Sequence, residues 1–418
     1  MTGPVRRALA TVALAGALAV ATGLALVPGA TAAGGEDPHL PEVVNAPGAW
    51  STHEGVDGPV AAMGISMRSR TVGVLDKRQS LEVFAVSAAD GSASWLRLPG
   101  FSHRRWGLSG GTALSPDGRW IGWVRPARDG RGGMPGNASR WSVMDTTTGE
   151  IRQLDVPGAS SVRGTLSDLA FSGDSRYLLT SYEDPDLPRR QRSHEHQLVA
   201  WDVRDGSPTV VEEPGHYWLP VLGTAPSGVV WARGRTVHRT DPDLGAPSSV
   251  RLPYQVMDAS WGPDDTTFAS IGHRVGRPRS PWRLYAGAAG HEADARPLDL
   301  PAGVSPGQLL GWRDPTHVVV GHWRTEVHVV DIVDGDVEAI ELRGYGEQVN
   351  APDLATALWQ RPLGPAAEPE ATTDPRRPWH RAGAVALVPV AGSWLLWRRR
   401  RRRVPSGGRS VRRPPGSR

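Results

Sequence analysis

The stretch ALSPDGRWIGWV, residues 113–124, decides the fold of this chain. An apolar run leads into a Pro-Asp-Gly turn at residues 116–118, and a strand of alternating pattern follows. After a polar loop, WSVMD (141–145) predicts a third strand, TTTG (146–149) a second tight turn and IRQLDV (151–156) a fourth strand. Four short strands joined in this way form an antiparallel meander that cannot bury both of its faces alone, so the unit has to stack on copies of itself.

Five further segments repeat the pattern of this unit. The positions of its first turn are occupied by SGDS (172–175), APSG (225–228), GPDD (262–265), RDPT (313–316) and, in the most degenerate copy, MRSR (67–70). An alternating or β-branched run follows most of these turns, and the spacing fits the roughly 40–50 residues of a propeller blade. Proline, aspartate and glycine are turn formers. We therefore interpret the repeated aspartates as turn residues rather than as calcium ligands or catalytic carboxylates.

This pattern resembles the TolB-type propeller repeat and is WD-repeat-like: an SPDG turn precedes a strand, and a turn of the form φ-φ-Asp-x-x-x-Gly follows later. The resemblance covers residues 58–344 and implies an all-β fold, a six-bladed β-propeller of four-stranded antiparallel blades. A seventh blade that uses residues 345–360 stays open. Repeats of this type occur in periplasmic scaffolds and in front of prolyl-peptidase catalytic domains, so the resemblance implies a fold and not an activity.

The N-terminal end predicts export. Residues 1–33 combine two arginines, an apolar run and small residues before a cleavage position, which is typical of a signal peptide; an uncleaved anchor is the alternative. Residues 34–57 form an extended lead-in. At the other end of the propeller, we expect residues 345–360 to supply a closing strand that pairs with this lead-in.

The C-terminal end predicts a membrane anchor. Residues 361–380 are a linker rich in proline, alanine and glutamate, and residues 381–397 are apolar enough for a transmembrane helix. Six consecutive arginines then begin a tail, residues 398–418, that the positive-inside rule places in the cytoplasm. The expected localisation is therefore the cell membrane, with one span, or two if the N-terminal segment is retained, and with the propeller outside.

Composition limits the possible chemistry. The 418 residues include 50 glycines, 37 prolines and no cysteine, which favours many turns and excludes disulfides and thiolate chemistry. The net charge is +4, but residues 1–33 carry two arginines and residues 398–418 carry ten, so residues 34–397 are acidic, with a net charge of −8. The basic pI therefore belongs to the tail and is no argument for nucleic-acid binding.

One face of the propeller is predicted to be basic. In an up-and-down blade, the loops between second and third strands and the connections between blades lie at the same end, which we call the loop face; the opposite end is the turn face. The loop-face segments carry Arg104, Arg105, Arg125, Arg128, Arg131, Arg140, Arg189, Arg190, Arg192, Arg274, Arg277 and Arg279. Guanidinium groups suit phosphate and carboxylate. The hypothesis is anion binding; the alternative is that these arginines only keep the loops soluble.

No catalytic motif lies in a suitable context. GLSGG (107–111) fits the nucleophile-elbow pattern but falls between two blades, and HEH (194–196) is half of a metal site without a third ligand. We expect no cofactor and no nucleic-acid partner. The predicted function is a membrane-anchored extracytoplasmic binding or scaffolding module for an unidentified protein or an anionic envelope polymer. The alternative is an envelope enzyme, a lyase or hydrolase of sugars or peptides, with its site in the central channel.

Overall fold

The computed structural model consists mainly of short β-strands. It describes residues 37–72, 76–101, 111–126, 137–156, 162–163, 169–183, 196–212, 221–275, 281–322, 326–343, 352–365, 367, 374, 392, 394–396 and 398. Within these residues there are 25 strands and two short 3₁₀ helices, Glu292–Asp294 and Thr356–Gln360.

The strands follow one another as meanders. The first runs through β1 (Val60–Val72), β2 (Asp76–Ser87) and β3 (Ala93–Leu96); the second through β4 (Thr112–Leu114), β5 (Trp120–Pro126), β6 (Asn137–Asp145) and β7 (Ile151–Leu154), with β8 (Val162–Arg163) paired to β6. The third contains β9 (Ala170–Phe171), β10 (Tyr177–Glu183), β11 (His196–Asp202) and β12 (Pro208–Glu212), and the fourth β13 (Val221–Gly223), β14 (Val230–Arg233), β15 (Thr236–Arg239) and β16 (Ser248–Arg251).

Two more meanders and one returning strand complete the fold. The fifth contains β17 (Gln255–Trp261), β18 (Thr267–His273), β19 (Arg283–Ala288) and β20 (Arg296–Pro297), and the sixth β21 (Gln308–Asp314), β22 (His317–His322), β23 (Glu326–Asp331) and β24 (Val337–Ile340). The last strand, β25 (Asp353–Leu354), joins the first sheet beside β1. The result is six antiparallel sheets with a four-stranded meander in each, which confirms the predicted all-β, six-bladed architecture.

The core lies between neighbouring blades. Each of the five buried apolar clusters combines residues from adjacent sheets; Trp141 of the second blade, for example, packs with Trp201 of the third, their ring centroids 6.1 Å apart. Both tryptophans are almost fully buried, and truncating such a side chain typically costs about 3–5 kcal/mol. Stacking of blades is therefore what buries the two faces that each meander leaves exposed.

The predicted turn chemistry is present in detail. In the second blade the hydroxyl of Ser115 donates to Asp117 Oδ1 (2.6 Å) and accepts from the backbone N–H of Trp120 (2.8 Å). The third blade repeats both bonds with Ser172 and Asp174, at 2.6 Å, and with the N–H of Tyr177, at 2.9 Å. The aspartates thus act as turn residues, as their spacing indicated.

An ion pair repeats at the turn face of the same two blades. Arg119 donates to Asp145 Oδ2 through Nε (3.1 Å) and Nη2 (2.8 Å), and Arg176 Nε donates to Asp202 Oδ2 (3.1 Å). Burial opposes ionisation of Asp145, but hydrogen bonds from Arg119 and Thr147 outweigh burial and lower its pKa. Because the pKa is lowered on folding, this carboxylate stabilises the fold at neutral pH and loses that contribution as the pH falls through the folded-state pKa.

The first blade differs from the sequence-based expectation. Residues Met67 to Arg70, expected to form a turn, lie inside β1, which pairs with β2 in register from Ala62 to Val72. This hairpin is longer than those of the other blades and extends beyond its own blade at the loop face. We call its outer part, residues 66–72 and 76–82, the hairpin arm.

The first blade closes the propeller. Leu354 pairs with Ala62 and Asp353 with Met63, so residues near the C-terminal end supply the innermost strand. Contrary to the sequence-based prediction, the described part of the lead-in, residues 37–57, does not pair with this strand. It contacts other segments instead: Pro41 bridges to Gly364 and Val43 to Arg343.

The short helix Thr356–Gln360 follows the closing strand and packs at the turn face. The N–H of Ala357 donates to Pro116 O (2.9 Å), and Trp359 is buried. Gly311 allows this packing: its φ is +130°, and a Cβ there would lie 2.9 Å from Thr356 O. The strand that closes the propeller and the helix that packs at its turn face therefore follow one another directly in sequence.

Little of the predicted transmembrane segment, residues 381–397, is described. Gly392, residues 394–396 and Arg398 are helical, and the side chains of Trp394, Leu395 and Leu396 are exposed. Among the described residues, no helix reaches the length and apolarity needed to cross a membrane. The predicted signal segment, residues 1–33, lies outside the described part of the chain.

Substitutions at two glycines of similar conformation distinguish the free-energy cost of backbone strain in a turn from the cost of a clash between blades. Gly118 has φ +74° and Gly149 has φ +71°; a Cβ at Gly118 would clash with Val60 O of the first blade, whereas nothing lies within 4 Å at Gly149. Gly149→Ala should cost about 1–2 kcal/mol from left-handed strain, and Gly118→Ala a further 1–3 kcal/mol or so from overpacking. Urea unfolding measures the loss of stability in each variant. Equal losses in the two variants would show that the close approach of Gly118 to Val60 O does not affect stability.

Candidate functional site

The structure describes three of the twelve arginines that the sequence assigned to the loop face. Arg125 in β5 is directly opposite Arg140 in β6. Arg140 pairs with Asp155 (Nε to Oδ1, 3.0 Å), and Arg274 follows β18 with an exposed side chain. The other nine lie outside the described residues: Arg104, Arg105, Arg128, Arg131, Arg189, Arg190, Arg192, Arg277 and Arg279.

The hairpin arm adds a charged cluster that sequence reasoning missed. Arg68 Nη1 lies 2.8 Å from Glu54 Oε1 of the lead-in and 3.0 Å from Glu82 Oε2 of β2. Arg70 Nη2 lies 2.9 Å from the same Glu82 oxygen. The Arg68 side chain is only 7% exposed, and its guanidinium lies over the Trp95 ring, 5.4 Å from the centroid. These contacts fasten the base of the arm to the first blade.

An open groove of about 1210 Å³ runs between this arm and residues 96–101. Its lining includes Arg78 of β2 and Arg97 of the connection after β3, both exposed. Neither arginine forms an ion pair with any residue that the structure describes. The two acidic residues of the lining, Glu54 and Glu82, are already paired with arginine, so the groove presents unneutralised positive charge.

A sequence signal for this groove existed. Residues 60–72 and 76–87 alternate or carry β-branched residues over an unusual length, without proline and with a single Gly-Val-Leu interruption at residues 73–75. That pattern predicts one long hairpin. MRSR, residues 67–70, lies within its first strand at the repeat position where the other blades have a turn.

The innermost strands carry two carboxyl groups with raised pKa values. Asp258 of β17 accepts hydrogen bonds from the N–H of Leu309 in β21 (2.8 Å) and of Ala259 (2.9 Å), yet burial raises its pKa to about 7. The protein around Asp353 of β25 also raises the pKa of its carboxyl group. Water reaches the Asp353 side chain, which works against this rise. Both groups belong to blades that flank the sixth blade.

A small, open cavity lies at the turn face. It has a volume of about 70 Å³ and is lined by residues of the helix Thr356–Gln360 and of the first turns of the blades, among them Pro116, Gly173, Ser260 and Trp312. Such a volume holds one or two water molecules rather than a sugar or a peptide.

The other chemical motifs gain no support among the described residues. His196 is the first residue of β11, and burial, followed by the nearby Arg233, lowers its pKa. His194, Glu195 and residues 107–110 of the elbow-like motif are outside the described residues. In the part of the chain that is described, no three histidine, aspartate or glutamate side chains are arranged to hold a metal ion.

The six sheets define the chain as a six-bladed β-propeller. No family model matches it, and no curated protein matches it. Solved structures do: an oligogalacturonate lyase from Vibrio parahaemolyticus (11% identity, 68% of this chain and 77% of that one, TM-score 0.41) and a putative TolB from Agrobacterium tumefaciens (12%, 68% and 89%, 0.37). The propeller domain of the Trilobed protease from Pyrococcus furiosus is similar at 13% identity, over 71% of this chain and 84% of that one, with a TM-score of 0.40. These are similarities of fold.

Replacing Asp353 by asparagine should flatten the pH dependence of stability. The folded-state pKa is raised above the ordinary value of an aspartate, by an amount that solvent exposure limits, so as the pH rises above about 4 the unfolded chain holds fewer protons and the free energy of unfolding falls. Asp353→Asn should therefore lose less stability than wild type between about pH 5 and about pH 8. Urea midpoints from tryptophan fluorescence measure this. Glu341→Gln, at an exposed carboxylate, is the control; an unchanged pH slope in Asp353→Asn would contradict the assignment.

Proposed function

We propose that this chain is an extracytoplasmic binding or scaffolding module for a negatively charged partner. The observation that carries the proposal is the open basic groove at the loop face of the first blade, next to loops in which the sequence concentrates arginine. At the turn face, by contrast, the described residues line a small cavity of about 70 Å³ beside residues 356–360. An acidic protein or an anionic envelope polymer fits the loop face by charge.

Membrane anchoring is part of the same proposal. It rests on the sequence of residues 381–397, which is apolar and followed at once by six arginines. The first 33 residues add an export signal or a second anchor. The propeller would then be held outside the membrane, with its arginine-rich tail in the cytoplasm.

Single cysteines test this topology, because the natural chain has none. Ser207→Cys is exposed in the third blade, and Ser406→Cys lies in the tail. In intact cells a membrane-impermeant maleimide should label only the first, whereas both should react after the cells are lysed. Labelling of Ser406→Cys in intact cells would overturn the proposed orientation.

Charge reversal tests the loop face. Arg274→Glu removes an exposed loop-face cation and should weaken low-salt binding to anionic wall polymer about fivefold, the equivalent of ~1 kcal/mol for an exposed ion pair. Adding Arg131→Glu and Arg277→Glu should abolish the salt-sensitive part of binding. Arg204→Glu, in an exposed turn at the opposite face, is the matched control. Equal effects of Arg274→Glu and Arg204→Glu, in a pelleting assay at several salt concentrations, would rule out a specific face.

The second candidate is an envelope enzyme, a lyase or hydrolase of sugars or peptides. The observation that favours it is the pair Asp258 and Asp353, since carboxyl groups with raised pKa values suit proton transfer at neutral pH. If this candidate is correct, the wild-type chain turns over an envelope sugar or peptide, and Asp353→Asn abolishes that turnover without unfolding the propeller. Binding that survives Asp353→Asn, with no turnover by wild type, favours the binding module.

A further inference from the structure

The two edges of the hairpin arm differ. On the β1 side the lead-in covers the edge: the N–H of Ser69 donates to Ala49 O at 2.6 Å. On the β2 side, β3 pairs only with residues 83–86, so the edge beyond Val83 has no neighbouring strand among the described residues. The lead-in therefore covers one edge of the arm, and the other edge is open as far as the described residues are concerned.

The hydrogen-bond alternation identifies the open backbone groups. Ser87 N–H donates outward to Ser92 O, and β2 pairs with β1 without a bulge from Val86 to Asp76. Every second residue back from Ser87 therefore turns its N–H and C=O away from β1. Beyond the end of β3 these residues are Leu81, Gln79 and Lys77. No described residue forms a hydrogen bond to their backbone.

The groove runs along this open edge. Its lining takes side chains from both faces of β2, Ser80 on one face and Gln79 on the other, and residues 96–101 form the opposite wall. The edge from residue 77 to residue 81 is about 13 Å long at about 3.3 Å per residue, which matches an extended segment of about five residues. The groove volume of about 1210 Å³ leaves room for its side chains.

The charges beside the edge specify the kind of segment. Arg78 is directly opposite Arg70 on the same face of the hairpin, and like charges in that position destabilise a strand pair. Glu82 already binds Arg70, so Arg78 has no ion-pair partner among the described residues. Arg97, across the groove, also has no described ion-pair partner. A carboxylate between the strands would neutralise this charge.

We propose that the open edge of β2 binds an extended acidic segment of a partner protein as an added strand. Backbone bonds to Leu81, Gln79 and Lys77 hold the segment, and its alternate carboxylates pair with Arg78 and Arg97. An anionic polymer without peptide groups would leave the backbone edge unpaired, so a protein segment fits better. This inference deepens the proposed binding function and rests on it.

The probe is a displayed library of eight-residue peptides with glutamate fixed at alternate positions and random residues between them, selected on the full chain. Enriched peptides are resynthesised in two forms: unmodified, and N-methylated at alternate amides. Strand addition predicts that methylation of the amides that face β2 weakens binding at least tenfold and that methylation of the other set does not. Equal effects of the two sets, or no enrichment, would overturn the proposal.

Variants of the chain test the same contact from the other side. Gln79→Pro removes an outward N–H while sparing the ladder to β1, and should weaken peptide binding at least tenfold; Gln79→Ala keeps the N–H and should bind as wild type does. Arg78→Glu with Arg97→Glu should weaken binding at least tenfold at low salt, and Arg204→Glu should have no effect.

The outcomes separate this inference from the proposed function. If anionic wall polymer binds to wild type and no peptide does, the loop face binds anions and strand addition is wrong. If a peptide binds but Gln79→Pro and Gln79→Ala behave alike, the groove recognises charge without the edge, and strand addition is again wrong. If neither polymer nor peptide binds, both proposals fail.

Discussion

The structure depends on the pairing of residues 353 and 354 with residues 63 and 62. Each meander leaves two apolar faces that only a neighbouring blade covers, so a row of six blades would still expose one face at each end. Bringing the last strand into the first sheet removes both exposed faces at once. The contact joins residues almost the full length of the propeller apart in sequence, so its loop-closure entropy has to be recovered by the apolar surface that closure buries. The helix Thr356–Gln360, which follows the last strand at the turn face, is positioned by the same pairing.

Local chemistry explains how much of the fold could be predicted. The bonds from Ser115 to Asp117, and from Ser172 to Asp174, involve residues two apart, so a sequence pattern contains everything needed to expect them. The first blade has no such marker. Its hairpin is specified by two long alternating runs, and its innermost strand comes from the other end of the chain. The lead-in likewise has no pattern of its own: its partners Arg343 and Gly364 are about 300 residues away. Turns were therefore predictable, whereas closure partners were not.

The same distinction applies to the candidate site. Arginine-rich loops can be read from composition, but the groove combines Glu54, Arg78 and Arg97 from three segments whose proximity depends on the hairpin register. Asp258 and Asp353 are visible in the sequence as single acids among apolar residues. Their raised pKa values, however, come from the strands that surround them, which no local pattern predicts. Sequence reasoning finds charged groups, and the fold decides which of them are desolvated, paired or left open.

The contacts of the lead-in have a mechanical consequence. Gly364 accepts from Glu42 N–H (2.9 Å) and donates to Leu40 O (2.8 Å), and Arg361 Nη1 donates to Pro38 O (2.8 Å). Any pull on the chain beyond Gly364 therefore loads these bonds before it reaches residues 353 and 354. The strand that keeps the six blades together is thus shielded from tension by the segment that precedes the first blade.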